Sequence, residues 1–384
     1  MNLPKGVVAL GLVSLTMDLS SEMIHSLLPV FLVTVLGASA MSVGFIEGIA
    51  EATASIAKVF SGVLSDWFGR RKPLVLLGYG MAALTKPLFP LATGIGAVLT
   101  ARFLDRIGKG IRGAPRDALL ADITPEAQRG AAYGLRQAMD TVGAFAGPLA
   151  AMGLMAASHD NFRLVFWVAV VPAVVCVLLI AFGVEEPEAT RPAAQPRFPI
   201  TRDNLARLSS RFWWVVAFAA VLTLARFSEA FLLLRAENVG LAATWVPMIL
   251  IVMNVVYAAS AYPFGKFSDN GSRRSLLMWG VIFLIASDIT LALAANIWAV
   301  GLGAAIWGLH MGATQGLLSA LVSDAAPADL RGTAFGVFNL VSGVALLAAS
   351  VIAGGLWTLL GPAMTFYAGA MFSSIALLGL SVRR

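Results

Sequence analysis

The fold is indicated by one short segment that occurs twice, as Gly62-Val-Leu-Ser-Asp66-Trp-Phe-Gly-Arg70-Arg71 and as Gly265-Lys-Phe-Ser-Asp269-Asn-Gly-Ser-Arg273-Arg274. A second segment is also repeated, as Asp122-Ile-Thr-Pro125-Glu-Ala-Gln-Arg129-Gly130 and as Asp324-Ala-Ala-Pro327-Ala-Asp-Leu-Arg331-Gly332. The copies in both pairs are about 202–203 residues apart. Two independent matches at one spacing indicate that the chain consists of two homologous halves.

The composition indicates which solvent surrounds those halves. Of the 384 residues, 59% are hydrophobic and only 12% are charged, whereas about a quarter of the residues are charged in an ordinary soluble domain. A globular protein could not hide this much apolar surface, so lipid is the expected solvent. The net charge of +6 lies in loops that fit a membrane topology, and therefore does not indicate nucleic-acid binding. The single cysteine, Cys176, excludes an internal disulfide and is expected to be a buried hydrophobe.

Hydropathy predicts twelve membrane-spanning helices, because each span needs about 20 mainly apolar residues. The first apolar run is expected to be a retained helix and not a cleaved signal peptide, since no small-residue cleavage site follows it. The halves are predicted as a six-helix bundle over 1–184, a cytoplasmic linker over 185–210 and a second bundle over 211–384. The predicted spans lie near 6–36, 42–64, 73–93, 95–120, 129–157, 162–183, 211–236, 241–267, 274–294, 297–323, 330–359 and 361–381.

The positions of the basic residues predict the orientation of the chain. Lysine and arginine are concentrated after the second and eighth spans, in the linker and at the C-terminus, while the alternate loops carry almost none. The positive-inside rule then places both termini and the linker in the cytoplasm, and an even number of spans follows. The predicted location is the inner membrane of a bacterial-type cell.

Several of these motifs resemble those of the major facilitator superfamily, and the resemblance covers essentially the whole chain. The segment Gly62–Lys72 resembles its loop signature between helices two and three, and Arg102 with Gly108 and Gly110 resembles its motif with a membrane-embedded arginine. Gly143, Gly147 and Pro148 resemble a helix-five motif of proton-coupled antiporters, from which the chain departs at Ala150 and Ala151. The resemblance implies an all-α membrane protein of twelve helices in two pseudo-symmetric six-helix bundles, which transports a solute by alternating access.

The repeated loop has two possible roles. A glycine permits a tight turn, and arginines supply donors for carboxylates or helix ends, so the loop can act as a latch that holds helix bundles together and releases them. The alternative is a plain topology anchor. The latch is favoured because the pattern recurs in the second half. Its predicted residues are Gly62, Asp66, Gly69, Arg70, Arg71, Asp269 and Arg273.

Ionisable residues inside the first span predict a proton site. Asp18, Glu22 and His25 are spaced four and three apart, so they share one face of a helix. Asp18 lies about 18 Å along that helix from Gly6, which is near the middle of the bilayer. Each buried charge costs roughly 2.5–3.5 kcal/mol, so such groups are expected to face a cavity or one another. Asp18 and Glu22 are therefore predicted to carry protons; the alternative is a structural carboxylate that is permanently paired with a basic residue.

Other charged residues are predicted to line a central substrate cavity. In the seventh span, Glu229 could carry a proton with Arg226 beside it, or the two could form a self-neutralising pair. Arg136 and Asp140 look like an internal pair, while Asp288 has no identifiable partner. The predicted cavity residues are His25, Glu47, Glu51, Lys86, Arg102, Arg106 and Arg226.

A basic stripe in the fourth span leaves the charge of the substrate open. Arg102 and Arg106 could bind an anion, or could neutralise acids on neighbouring helices. The lower members of the stripe, Lys109, Arg112 and Arg116, are expected to be a solvated helix end.

The function predicted from these features is secondary active transport with a proton as the coupling ion. Export of a drug-like compound or metabolite is favoured, and uptake of an anionic metabolite or metal chelate is the alternative. The chain has no phosphate-binding Gly-x-x-x-x-Gly-Lys-Ser/Thr loop and no cluster with metal-ligand spacing. Direct use of ATP and a structural zinc are therefore disfavoured, and no cofactor is expected. An intramembrane enzyme is disfavoured because Ser20 or Ser21 near His25, on one helix, would make a poor catalytic dyad. The expected partners are a small-molecule substrate, protons and lipid, but not nucleic acid, and the protein is expected to be monomeric.

Overall fold

The computed structural model describes residues 3–68, 70–186, 200–270, 272–327 and 330–382. This part of the chain consists of α-helices with two short 3-10 turns, Glu126–Gln128 and Ala243–Trp245, and it contains no strand. The helices are α1 Lys5–His25, α2 Leu28–Thr34, α3 Ala40–Phe68, α4 Lys72–Thr85, α5 Leu88–Leu91, α6 Ile95–Asp122, α7 Arg129–Ala157, α8 Phe162–Gly183, α9 Arg202–Ala206, α10 Ser210–Ala225, α11 Ala230–Asn238, α12 Met248–Asn270, α13 Arg273–Leu293, α14 Ile297–Ala325, α15 Arg331–Leu360 and α16 Pro362–Val382.

Ten helical segments of the described chain are long and apolar enough to cross a membrane. Two more helices, α3 with 29 residues and α6 with 28, have the length but carry charged side chains along them. These two coincide with the predicted spans 42–64 and 95–120. The prediction of an all-α membrane protein with twelve spanning segments is therefore confirmed.

Three of the spans are interrupted, which the prediction of continuous helices missed. The first span divides into α1 and α2, the third into α4 and α5, and the seventh into α10 and α11. Pro87 lies between α4 and α5, where it lacks the backbone donor that a continuous helix needs. Pro29 lies in the first turn of α2, a position that proline tolerates.

No proline explains the third break, between α10 and α11. Its backbone groups are satisfied by serines: the Ser228 amide donates to Ser350 Oγ at 3.3 Å, and the Ala230 amide donates to Ser228 Oγ at 3.2 Å. An interrupted helix inside a membrane needs such partners for its free backbone groups. Ser350 comes from α15, so a residue far away in the sequence stabilises this break.

The helices pack into two compact units. The first takes its residues from Met1–Leu28 and Thr53–Phe198, and the second from Pro29–Ala52 and Pro199–Arg384. Helix α2 and the first part of α3 thus pack with the second unit. The division into 1–184, 185–210 and 211–384 stays a prediction.

Close contact with α15 holds the start of α3 in the second unit. A Cβ on Gly354 would lie 2.6 Å from the carbonyl oxygen of Ala40, so only glycine fits there. The Met41 amide donates to Thr358 Oγ1 at 3.1 Å, one turn further along α15. Small residues commonly permit such backbone contact between helices in membranes.

The apolar core of the first unit lies between α1, α4 and α8. Val13 and Met17 of α1 pack there with Tyr79 of α4, and Cys176 and Ile180 contribute from α8. Cys176 is fully buried, as predicted. This core fixes the rotation of α1, and hence the direction in which its acidic residues point.

Candidate functional site

Buried charged side chains are concentrated on α6 in the first unit. One face of this helix turns its polar residues into the protein, and its exposed side carries apolar residues such as Phe103. The charged residues of α6 that are buried are Arg102, Asp105, Arg106 and Arg112. A charged side chain is unfavourable in lipid, so the basic stripe of the fourth span is expected to face the protein interior, and the buried residues of α6 agree with this.

Lys86 and Asp105 form a buried ion pair. Lys86 Nζ lies 3.0 Å from Asp105 Oδ1, and the side chains are 2% and 7% exposed. The same ammonium group donates to Ser21 Oγ of α1 at 3.0 Å. Lys86 follows the last turn of α4, so this one side chain links α4, α6 and α1. Its predicted place in a substrate cavity stays a prediction.

The lower part of the basic stripe differs from the expected solvated helix end. Lys109 is exposed, but Arg112 is only 6% exposed. The Arg112 guanidinium lies over the ring of Tyr79 at 4.4 Å from its centroid, a cation–π contact. Arg116 donates to the Tyr79 hydroxyl at 3.3 Å and pairs with Asp117 at 3.0 Å. For Arg112 the solvated-end prediction is wrong, because its guanidinium is buried against Tyr79.

Asp18 of α1 and Asp140 of α7 lie close enough for their carboxyl groups to act on each other. Two such neighbouring acids repel when both are ionised, which favours one shared proton. Arg136 pairs with Asp140 at 3.6 Å, so the predicted internal pair is confirmed. Lys109 and Arg112 act electrostatically on Asp18. Two neighbouring acids with cations beside them can hold and release one proton.

Glu22 lies one turn after Asp18 and pairs with His25. The distance from His25 Nδ1 to Glu22 Oε2 is 3.5 Å, with the side chains 16% and 27% exposed. Arg106 and Lys109 of α6 also act electrostatically on Glu22. The structure thus brings three predicted residues, Glu22, His25 and Arg106, into one group.

The helix-five motif packs directly against these acids. A Cβ on Gly143 would lie 3.0 Å from Asp18 Cβ, and a Cβ on Gly147 would lie 2.6 Å from Glu22 Cβ. Pro148 is buried beside them inside α7. The two glycines therefore let α7 approach α1 at the two residues that were predicted to carry protons.

The second unit holds a smaller polar group at the break in its first span. Arg226 and Glu229 flank that break and are half-buried. Arg226 acts electrostatically on Glu229, Tyr257 and His310. His310 Nδ1 donates to the Gly280 carbonyl at 2.7 Å, and Tyr257 donates to Gln315 Oε1 at 3.0 Å. The interaction of Arg226 with Glu229 was one of the two predicted alternatives.

In each repeated loop, an arginine forms an ion pair with an aspartate at the C-terminal end of another helix in the same half. Arg71 Nε lies 3.1 Å from Asp122 Oδ2, and Arg273 Nη1 lies 2.7 Å from Asp324 Oδ2. The two ion pairs thus join the same repeated segments, although in the alignment Arg71 matches Arg274 and Arg273 matches Arg70. Arg70 is exposed. Gly69 lies outside the described residues, and so do the side-chain surroundings of Gly62, Asp66 and Asp269. The latch therefore stays a prediction.

Glu47 and Glu51 lie on the part of α3 that packs with the second unit. Glu47 is 1% exposed and Glu51 is half-buried. They are thus grouped apart from Asp18 and Glu22, and their predicted place in a cavity stays a prediction.

The sequence did not identify the partners of its own candidate residues. Asp140 was assigned to Arg136 alone, and no acid was assigned to Lys86. A signal for Asp140 was present, because it precedes Gly143 by three residues and so shares the face of α7 that the helix-five motif places at α1. Nothing in the sequence indicated that Ser21 would bind Lys86.

Comparisons with known proteins agree on one family. A family model described as Major Facilitator Superfamily matches residues 10–349 and, in a second match, 227–384. An uncharacterised MFS-type transporter of Methanocaldococcus jannaschii, MJ1317, is 33% identical over 381 residues, which cover 97% of this chain and 94% of that protein.

Two further matches are more distant. The multidrug resistance protein MdtH of Photorhabdus laumondii is 29% identical over 144 residues, covering 38% of this chain and 35% of that protein. Among solved structures, a mutant form of the nucleoside transporter NupG superimposes with a TM-score of 0.85 at 12% identity, covering 98% of this chain and 99% of that one. At that identity the likeness shows the fold alone.

Proposed function

This chain belongs to the major facilitator superfamily of multi-pass membrane transporters, and on that premise we propose that it exports a drug-like compound or metabolite in exchange for protons. The observation that carries the proposal is that Asp18 and Asp140 act on each other where α7 packs closely on α1 at Gly143. Two neighbouring carboxyl groups repel when both are ionised, which favours one proton shared between them. A proton-coupled transporter needs such a titratable group in its interior.

The surroundings of the pair support reversible release of that proton. Arg136 pairs with Asp140 at 3.6 Å, and Lys109 and Arg112 act on Asp18. These cations compensate the second negative charge once the proton leaves, so that the pair is not left as two bare carboxylates. Because α7 contacts α1 through Gly143 and Gly147, repulsion between the acids acts directly on the packing of these two helices.

Export is favoured by two features. Gly143, Gly147 and Pro148 resemble a motif of proton-coupled antiporters, and part of the chain is similar to a protein named for multidrug resistance. The basic residues of the loops further support a location in the inner membrane with both termini in the cytoplasm. We take the transporter to act as a monomer in lipid.

Reconstitution into liposomes tests the coupling. Compounds are first chosen by thermal stabilisation of the purified protein, with ethidium as an initial cationic probe. An imposed pH gradient should drive uptake of the probe into liposomes with an acidic lumen, and a protonophore should abolish it. Asp18→Asn and Asp140→Asn should each lose the response to the gradient while still binding the probe. Asp203→Asn, a substitution of an exposed acid on α9, is the control and should behave as wild type. Flux that ignores the gradient in the wild type would refute proton coupling.

A second candidate is uptake of an anionic metabolite or chelate. It is favoured by the buried arginines of α6, of which Arg102 is 3% and Arg106 is 5% exposed, since guanidinium groups bind carboxylates and phosphates in forked geometry. Arg102→Gln should then abolish transport of an anionic probe such as fluorescein and spare ethidium. Equal loss of both probes would count against an anion site.

A further inference from the structure

Asp288 is the buried acid that the proposed proton pathway leaves unexplained. It lies in α13 of the second unit and is fully buried. Among the residues that the structure describes, neither of its carboxylate oxygens has a hydrogen-bond partner. The sequence had suggested that this residue needs a partner, and the described structure supplies none.

The surroundings of Asp288 are apolar and tight. A Cβ on Gly369 of α16 would lie 2.6 Å from Asp288 Oδ2, and also 3.0 Å from Cε1 of Phe227. The ring of Phe227 packs against Trp307 at 5.7 Å and against Phe366 at 5.6 Å between centroids. The carboxyl group therefore lies against the backbone of α16 beside a cluster of aromatic rings.

Within the described chain, no side chain of the neighbouring helices hydrogen-bonds to Asp288. The titratable groups near the middle of those helices or beside Phe227 are His310 on α14, Tyr257 on α12, Tyr367 on α16, Arg226 and Glu229. The other charged and titratable groups of α12, α13 and α14 lie toward the helix ends, and they are Tyr262, Lys266, Asp269, Arg273, Arg274 and Asp324. A bare carboxylate in such surroundings is far too costly to persist, so the group must be neutral.

We propose that Asp288 is a second proton-binding site, which holds a proton in this conformation and gives it to water when the contact between α13 and α16 at Gly369 opens. On release the carboxyl O–H bond breaks, a water molecule takes the proton, and the carboxylate stays hydrated until the contact closes again. A proton fits an enclosed carboxyl group that has no polar partner in the described structure. A hard metal ion such as Ca²⁺ would need about six oxygen ligands, which this apolar site does not provide.

Ser373 gives this interface a second polar group. It lies one turn after Gly369 on α16, on the same face of the helix, and it is fully buried. In the described structure its hydroxyl has no hydrogen-bond partner. A water molecule that enters between α13 and α16 would therefore find both a carboxylate and a hydroxyl, which supports hydration as the step that accompanies release of the proton.

Infrared spectroscopy tests whether Asp288 holds a proton. At neutral pH, the difference between wild type and Asp288→Asn should contain the absorption of one protonated carboxyl group. The difference between wild type and Asp203→Asn should not, because Asp203 is exposed. Absence of the carboxyl band from the Asp288 difference would overturn the proposal. If Asp288→Asn does not assemble, Asp288→Ser takes its place. Failure of both to fold would show that neutral polar side chains are not tolerated at this position, contrary to a carboxyl group that is neutral in this conformation, and would also overturn it.

Hydrogen–deuterium exchange tests the release. After correction for the intrinsic rate, exchange in α13 and α16 should rise with pH in the wild type and stay low in Asp288→Asn. The same exchange in both proteins would overturn release at this interface. The role in transport rests on the proposed proton coupling, but the infrared result does not. Flux that ignores a pH gradient would refute that coupling and leave the proton on Asp288 intact.

Discussion

In the buried ion pair of Lys86 and Asp105, the two partners differ in how well each would be compensated if the other were removed. Asp105 is attracted by Lys86 and also by Arg106, Arg112 and Arg102. Lys86, in contrast, has Asp105 as its one acidic partner in the described structure, with Ser21 as a neutral acceptor. Loss of the acid therefore removes the central negative charge of a cationic group, whereas loss of Lys86 leaves that acid compensated.

This asymmetry predicts that Asp105→Asn is more destabilising than Lys86→Gln. Breaking a buried pair costs about 3–5 kcal/mol when it leaves an uncompensated charge, and we expect that range for Asp105→Asn and a smaller loss for Lys86→Gln. The double substitution should be less destabilising than Asp105→Asn alone, because the buried ammonium is then absent as well. Denaturant titration of the purified proteins in detergent measures the free energy of unfolding of the two single variants and of the double variant. A larger loss for Lys86→Gln would show that the arginines do not compensate Asp105.

At the scale of the helices, the sequence predicted the length and position of the membrane spans well, but it did not predict which spans are interrupted. A span is recognisable because 20 apolar residues are needed to cross the bilayer, whatever they pack against. The break at Ser228 depends on Ser350, a residue 122 positions away, so no local pattern reveals it. The same limit applies to the candidate site: periodicity placed Asp18 and Glu22 on one face, but the rotation of α1 and α7, which brings Asp18 to Asp140, is set by packing.

Packing of α3 on α15 gives a prediction with a closely matched control. Gly354 and Gly355 are adjacent in α15, but a Cβ on Gly354 would lie 2.6 Å from the Ala40 carbonyl, while one on Gly355 meets nothing within 4 Å. Gly354→Leu should therefore lower stability by about 1–3 kcal/mol through overpacking. Gly355→Leu changes helix propensity equally and should stay within about 0.5 kcal/mol of wild type. The midpoints of thermal unfolding of the two variants test this prediction. Equal midpoints would mean that the contact between Gly354 and Ala40 contributes nothing to stability.

Across the whole molecule, each half of the duplicated chain has an ion pair between its repeated loop and its repeated aspartate, Arg71 with Asp122 and Arg273 with Asp324. The pairs are not equally enclosed. The Arg71 and Asp122 side chains are 20% and 43% exposed, against 46% and 50% for Arg273 and Asp324. The first loop is also fixed by Glu186, whose carboxylate accepts from the backbone amides of Arg71 and Lys72. The duplicated plan has thus diverged, with the firmer attachment in the first half.

We expect charge reversal at these arginines to affect transport more than stability. Exposed ion pairs contribute only about 0–1 kcal/mol, so Arg273→Glu should leave the unfolding midpoint nearly unchanged while it lowers the initial rate of flux. Arg71→Glu should lower the flux further, because the new carboxylate would also face Glu186. Restoring opposite charges with Arg273→Glu/Asp324→Arg, or with Arg71→Glu/Asp122→Arg, should recover much of the rate. If instead the amount of protein in the membrane falls while the flux per molecule is unchanged, the arginines act as topology anchors and not as a latch.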